Sequence, residues 1–229
     1  MRLYEIERDG FMYKLIKSEE LKNQNQYRWF KTFDNPCYGF NVKMDVNEVV
    51  KYSKETKTSF FINVLYIITT TLNSIEEFRI REVKDEIRIY DKINPTFTVM
   101  TDIGIYENAG FEMIDDYKEF HKKARTIIDK VKSQTTFKET YNDSKLFDDY
   151  YMTCIPWISV EGISHPLCAN NYESLTVPRI CWDKYRMENG KLVMVLNITV
   201  SHCYIDGFTL SKGFNMIQEN FNNIYNILK

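Results

Sequence analysis

Residues 188–200 constrain this chain more than any other stretch. Glu188-Asn189-Gly190 is followed by the apolar run Leu192-Val193-Met194-Val195-Leu196-Asn197-Ile198-Thr199-Val200. The run is rich in β-branched residues and reads as a buried strand. The Asn-Gly pair supplies the positive φ angles of a tight turn, so a strand over 174–185 returns antiparallel into 191–202. Two long strands joined this way imply an antiparallel or mixed sheet with helices packed on it. Residues 60–72 supply one such helix. Phe60, Phe61, Val64, Leu65, Ile67 and Ile68 cover most of its surface, so it is expected between layers.

Further helical periods run over 45–53, 115–134 and 208–228, and strand patterns over 39–44, 86–90, 95–101 and 151–160. There is no repeat, low-complexity tract or linker, and only 8 glycines and 5 prolines, so residues 1–229 are read as a single domain. With 229 residues, 44% of them hydrophobic, the chain can bury one sizeable core. The 30 basic and 32 acidic residues are well mixed, which argues against nucleic acid or an anionic membrane as partner. No apolar stretch reaches the ~18 residues of a membrane span. Acidic residues come early, at Glu5 and Glu7, with no signal-peptide core, so a cytoplasmic location is expected. The five cysteines form no C-x-x-C pair, which argues against a metal site and for reduced, mostly buried thiols.

The chemistry points to His202. It ends the strand over 191–202 and stands four residues before Asp206-Gly207. Strand alternation puts Val200, His202 and Tyr204 on one face, with Ser201 and Cys203 on the other. Neither Ser201 nor Cys203 is then a nucleophile partner. Two readings remain: a satisfied core histidine, or a lone base acting on a bound hydroxyl or amine, for which an imidazole pKa of ~6.5 is suited. Asp206 reads as a turn residue and N-cap of the helix that follows. His121 lies in a charged helix and is expected to be solvated. His165, before Pro166, reads as a loop residue.

His202-x-x-x-Asp206-Gly207 resembles the His-x-x-x-Asp-Gly signature of acetyl-CoA-dependent acyltransferases. Several other blocks narrow the match. They are Glu77-Phe78-Arg79-Ile80, Lys84-Asp85-Glu86, Pro95-Thr96-Phe97-Thr98-Val99, Pro156-Trp157, the 178–185 strand ending Lys184-Tyr185, and Pro36-Cys37. Together they resemble the chloramphenicol acetyltransferase family over nearly the whole chain. The resemblance implies an α/β (α+β) fold, a two-layer sandwich with a mostly antiparallel or mixed sheet and packed helices. It also implies a homotrimer with active sites between subunits. The implied reaction is direct acetyl transfer from acetyl-CoA to a hydroxyl of a small molecule such as chloramphenicol, an antibiotic-resistance reaction without a metal.

Within that resemblance His202 is the base, and Asp206 and Gly207 organise its loop, Asp206 through an ion pair with an arginine near the N-terminus. The expected oxyanion region is Gly162, with Ser159 and Ser164 nearby, and the expected substrate-binding positions are Cys181, Val160 and Cys37. The chain departs from the family pattern in four places. Ser201 replaces the first of two adjacent histidines, and Gly162 stands where a serine is expected. Residues 24–28 bring an Asn or Gln into register for the arginine, with Arg28 displaced, and Cys181 replaces a drug-contacting threonine. The alternative function is a catalytically weak or inactive relative that binds CoA or a small ligand in the same pocket.

Overall fold

In a computed structural model, residues 5–8, 11–135, 146–168 and 171–229 are described. In chain order the elements begin with β1 (Glu5–Arg8), β2 (Phe11–Ile16), α1 (Gln24–Phe30), β3 (Cys37–Asp45), α2 (Asn47–Thr56) and α3 (Phe60–Asn73). Next come β4 (Ile80–Val83), β5 (Glu86–Tyr90), β6 (Asn94–Met100), β7 (Tyr106–Gly110) and α4 (Tyr117–Lys132). The chain ends with β8 (Asp149–Ile155), α5 (Tyr172–Leu175), β9 (Arg179–Asp183), β10 (Arg186–Glu188), β11 (Lys191–Ser201), α6 (Gly207–Asn222) and α7 (Ile224–Ile227).

The main sheet runs β10-β11-β9-β8-β6-β7, with β3 pairing along β11 over nine residues. It is mixed, because β8 is parallel to both β6 and β9 while the remaining pairs are antiparallel. A smaller sheet runs β1-β2-β5-β4. The predicted hairpin is present, with Asn189 at φ 51° and Gly190 at φ 79°, the left-handed pair a tight turn requires.

Alternate residues of β11 separate the two faces of the sheet. Leu196, Ile198 and Val200 join the hydrophobic core, together with Ile180 and Trp182 of β9 and Met152 of β8. Helices α2, α3, α4 and α6 pack around that core. The α3 helix is as buried as its sequence predicts, with Ile62, Val64, Leu65, Ile67, Ile68 and Leu72 at 0% exposure. Ser59 caps it by accepting from the Ile62 amide. Its one deeply buried amide, Asn63, bonds Ser53, Thr58 and Tyr117.

Helix and strand boundaries move where local chemistry intervenes. The strand expected over 151–160 stops at Ile155, before Pro156, which has no amide to donate. The strand expected over 174–185 begins only after Pro178, and α5 occupies the preceding turn. The helix expected over 208–228 breaks at Asn223 into α6 and α7. The strand expected to include His202 ends at Ser201, because the Ser201 carbonyl accepts the amides of Tyr204 (3.2 Å) and Ile205 (3.1 Å) and closes a turn.

Candidate active site

That turn decides how His202 is held. Its amide donates to Pro36 O (2.9 Å), and its carbonyl accepts Gln26 Nε2 (2.6 Å). Its ring lies between two aromatic faces, Phe30 at 4.0 Å and 14° and Tyr38 at 4.3 Å and 30°. Nδ1 is buried and makes no hydrogen bond among the described residues. The imidazole plane is therefore set by stacking and its loop by backbone bonds.

The separation of His202 from Ser201 and Cys203 holds, although strand alternation does not extend past Ser201. The Cys203 thiol meets the Tyr172 hydroxyl at 3.2 Å, and Ser201 Oγ accepts the Cys203 amide at 3.4 Å. Tyr204 Oη donates to Glu82 Oε2 at 2.5 Å, and Glu82 is ion-paired with Lys31, which lies over the Tyr172 ring. This buried network ties the turn to β4 and to the end of α1.

Asp206 is the N-cap of α6, accepting the Thr209 amide at 2.8 Å. Its other oxygen accepts Asn23 Nδ2 at 3.2 Å. The partner is an asparagine where the family has an arginine, in keeping with the Asn or Gln expected in register, although it is Asn23 and not a residue of 24–28. The Thr209 amide bond, followed by the weaker bonds from Thr209 and Asn23, lowers the Asp206 carboxyl below its usual range. Asp206→Ala is expected to cost about 1 kcal/mol in urea denaturation, the usual value of a lost cap. Because the folded pKa is lowered, that difference is fully present above the unfolded pKa of ~3.9 and vanishes as the pH falls further.

The second part of the site is a cavity of about 980 Å³. Strands β6 and β8 pair only as far as Phe97 and Met152. Beyond that point the Thr98 and Thr153 hydroxyls meet at 2.6 Å, and the cavity is lined by the strand ends Val99, Met100, Cys154 and Ile155. Phe61 of α3 and Ile128 of α4 close the helical side, and Asp149, Tyr151, His165 and Arg179 bring polar groups. His202 is not part of this wall.

His165 therefore belongs to the cavity lining, which its loop position did not reveal. Its Nε2 lies 3.0 Å from Asn197 Oδ1. Asn197 is 2% exposed and donates to Asn41 Oδ1 (3.0 Å) and Ile163 O (3.2 Å), while Thr199 donates to its oxygen (2.9 Å). With Asn197 Oδ1 accepting, the proton of His165 is assigned to Nε2. Burial lowers the pKa of this imidazole. The expectation of a solvated His121 is also corrected. It is half-buried, accepts the Ser59 amide at 3.3 Å and has its pKa lowered by burial.

The other expected positions lie off the cavity wall. Gly162 is exposed, and a Cβ there would sit 3.6 Å from Asn41 Nδ2, so the position has room for a side chain. Ser159 Oγ donates to Lys184 O at 2.8 Å, and Ser164 is exposed. Three of them are the expected substrate-binding positions. Cys181 is 1% exposed inside a strand paired on both sides, and burial pushes its thiol up to about 12. Val160 turns back to bond Asp183 through its amide, and Cys37 opens β3 with its thiol on Leu175 O at 3.3 Å. Burial likewise raises Cys37 to about 11 and Cys154 to about 12. Only Cys168 is exposed among the five thiols, so native-state labelling with a disulfide reagent is expected to modify Cys168 first, with the others following on unfolding.

A sequence model of the family "Chloramphenicol acetyltransferase" matches residues 11–218. The chain belongs to the chloramphenicol acetyltransferase family. These are acetyl-CoA-dependent O-acetyltransferases. Among its relatives, the chloramphenicol acetyltransferase of Vibrio anguillarum is 29% identical over 195 residues, 83% of this chain and 86% of that protein. Chloramphenicol acetyltransferase 3 of Escherichia coli is 24% identical over 194 residues, 80% of this chain and 85% of that protein. A solved chloramphenicol acetyltransferase superposes with a TM-score of 0.80 at 22% identity, over 95% of this chain and 100% of that one. The mixed sheet with packed helices is thus the fold of this family.

Proposed function

We propose that the protein moves an acetyl group from acetyl-CoA to a hydroxyl of a small acceptor such as chloramphenicol. His202 of one subunit acts as general base in the cavity of its neighbour. Nε2 takes the hydroxyl proton as the oxygen attacks the thioester carbonyl. The carbon–sulfur bond then breaks, and the proton passes to the departing thiolate. Neutral His202 has one ring proton, and a base at Nε2 requires it on Nδ1, the buried nitrogen.

The observation that carries this reading is the placement of two exposed apolar patches. Beside His202, Trp29 (67% exposed) and Phe33 pack on Phe30, whose ring lies on the imidazole, and Phe208 (77%) follows in the next turn of chain. Around the cavity stand Trp157 (65% exposed), Tyr106 and Met100. A monomer leaves both patches in water, which is the mark of an interface. Two different patches that meet head to tail generate a ring where the rotation closes, and a homotrimer is the assembly proposed. The location proposed is cytoplasmic. No helix among the described residues is long and apolar enough to cross a membrane.

The test is release of free thiol from acetyl-CoA with chloramphenicol and a panel of hydroxylated acceptors, alongside the mass by light scattering. The expected result is acceptor-dependent release by a trimer. Equal inactivity of wild type and His202→Ala on every acceptor defeats the enzymatic reading. It would favour the second one, a ligand-binding relative, for which Gly162 and its missing hydroxyl speak.

A further inference from the structure

One carboxyl group of the cavity is left over after the fold's own bonding. Asp149 opens β8, on the same strand face as Tyr151 and Thr153, and all three line the cavity. Thr96, on the neighbouring strand β6, lines the cavity with it. No lysine or arginine forms an ion pair with it among the described residues. Two arginines of this region are bonded elsewhere. Arg81, fully buried, donates to the carbonyls of Phe78, Ile80, Phe147 and Asp149 itself. Arg179 donates to Ser174 and to Val177 O, and lies over the Tyr151 ring.

We propose that Asp149 is a specificity-determining residue of the acceptor cavity and that the favoured acceptor is a hydroxyl compound that also carries a protonated amine. This deepens the acetyltransferase reading and rests on it. Burial, followed by the charge of the neighbouring Asp148, pushes the Asp149 carboxyl up to about 6, and a cation beside it would offset both effects. A charge-assisted N–H···O bond is stronger than the neutral one a plain alcohol offers. The cavity that Asp149 lines also has Phe61, Phe97 and Trp157 in its wall, which suit the alkyl skirt of an ammonium as well as a ring. Among the described residues Asp149 is the one carboxylate of the cavity lining, and this matches a single positive charge and not a divalent ion, which takes several oxygens.

The test compares two acceptors with the same hydroxyls and the same aromatic ring. One is chloramphenicol, whose amide is neutral. The other is its deacylated base carrying an N,N-dimethyl group, an ammonium with one N–H that cannot form an amide. The quantity read is the ratio of kcat/KM for the ammonium to that for chloramphenicol, in wild type and in Asp149→Asn. The ratio cancels any general loss of folded enzyme. It is expected to fall about 10-fold or more in Asp149→Asn, in keeping with loss of a hydrogen bond to a charged group. An unchanged ratio overturns the proposal, as does a wild type that acetylates chloramphenicol and ignores the ammonium. Turnover of neither acceptor by wild type defeats the acetyltransferase reading itself, and the inference falls with it.

Discussion

Replacing His202 with alanine is expected to lower kcat about 100- to 10,000-fold, the usual contribution of a positioned base. The KM values for both substrates are expected to stay near those of wild type. In the proposed assembly His202 meets the acceptor through its hydroxyl alone, and the proton moves in the transition state. The loss should fall on the transition state alone, which lowers kcat and kcat/KM together. The ring is also a structural element, clamped between Phe30 and Tyr38, and its removal leaves a gap between them. Thermal unfolding and light scattering on the same preparation therefore accompany the thiol-release assay. A folded His202→Ala trimer with kcat within threefold of wild type would remove His202 as the base.

Trp182→Ala is expected to cost about 3–5 kcal/mol, the range for truncating a large buried aromatic. Trp182 is 0% exposed in the middle of β9, between β8 and β11, and its ring lies 5.4 Å from that of Phe61. Its Nε1 has no hydrogen-bond partner among the described residues, so the side chain contributes through packing and not through a polar bond. That predicts a contrast. Trp182→Phe keeps most of the volume, loses no hydrogen bond, and is expected to cost less than about 1.5 kcal/mol. Urea denaturation of the two variants measures it. A loss for Trp182→Ala is a large share of a stability that is typically about 5–15 kcal/mol in all. Phe61 forms part of the cavity wall, so weaker binding of an aromatic acceptor is expected alongside the lost stability.

The hairpin at Asn189-Gly190, the buried α3 helix and the pairing of the last two long strands were all legible along the chain. Each rests on neighbours in sequence: two residues with positive φ, six apolar side chains at helical spacing, two β-rich runs beside one turn. The cap at Asp206 was legible for the same reason, since an N-cap serves an amide three residues on. His202 was legible as a position through its spacing to Asp206-Gly207. The less regular elements were not: α1, β4, β7 and β10 are short and owe their form to what they pack against. The Lys84-Asp85 turn between β4 and β5 has φ 53° and 62° without a glycine, so Asp85 alone hinted at it.

By itself the sequence determined the family, the main strands and helices, and the position of His202 before Asp206-Gly207. Those depend on local backbone preference and on the order of motifs, both of which survive in one dimension. Only the tertiary structure decided what surrounds that residue. Phe30 and Tyr38 reach His202 from positions 172 and 164 residues earlier in the chain (202 − 30 and 202 − 38). Asn23 takes the place of the expected arginine at Asp206, across 183 residues. The cavity exists because β6 and β8 stop pairing at Phe97 and Met152, and it draws Asp149, His165 and Arg179 to one wall from three separate segments. Such contacts carry no sequence period. They arise when distant strands enter one sheet in a fixed register, and burial then sets which of their polar groups are satisfied and which, like Asp149, are left to meet a ligand.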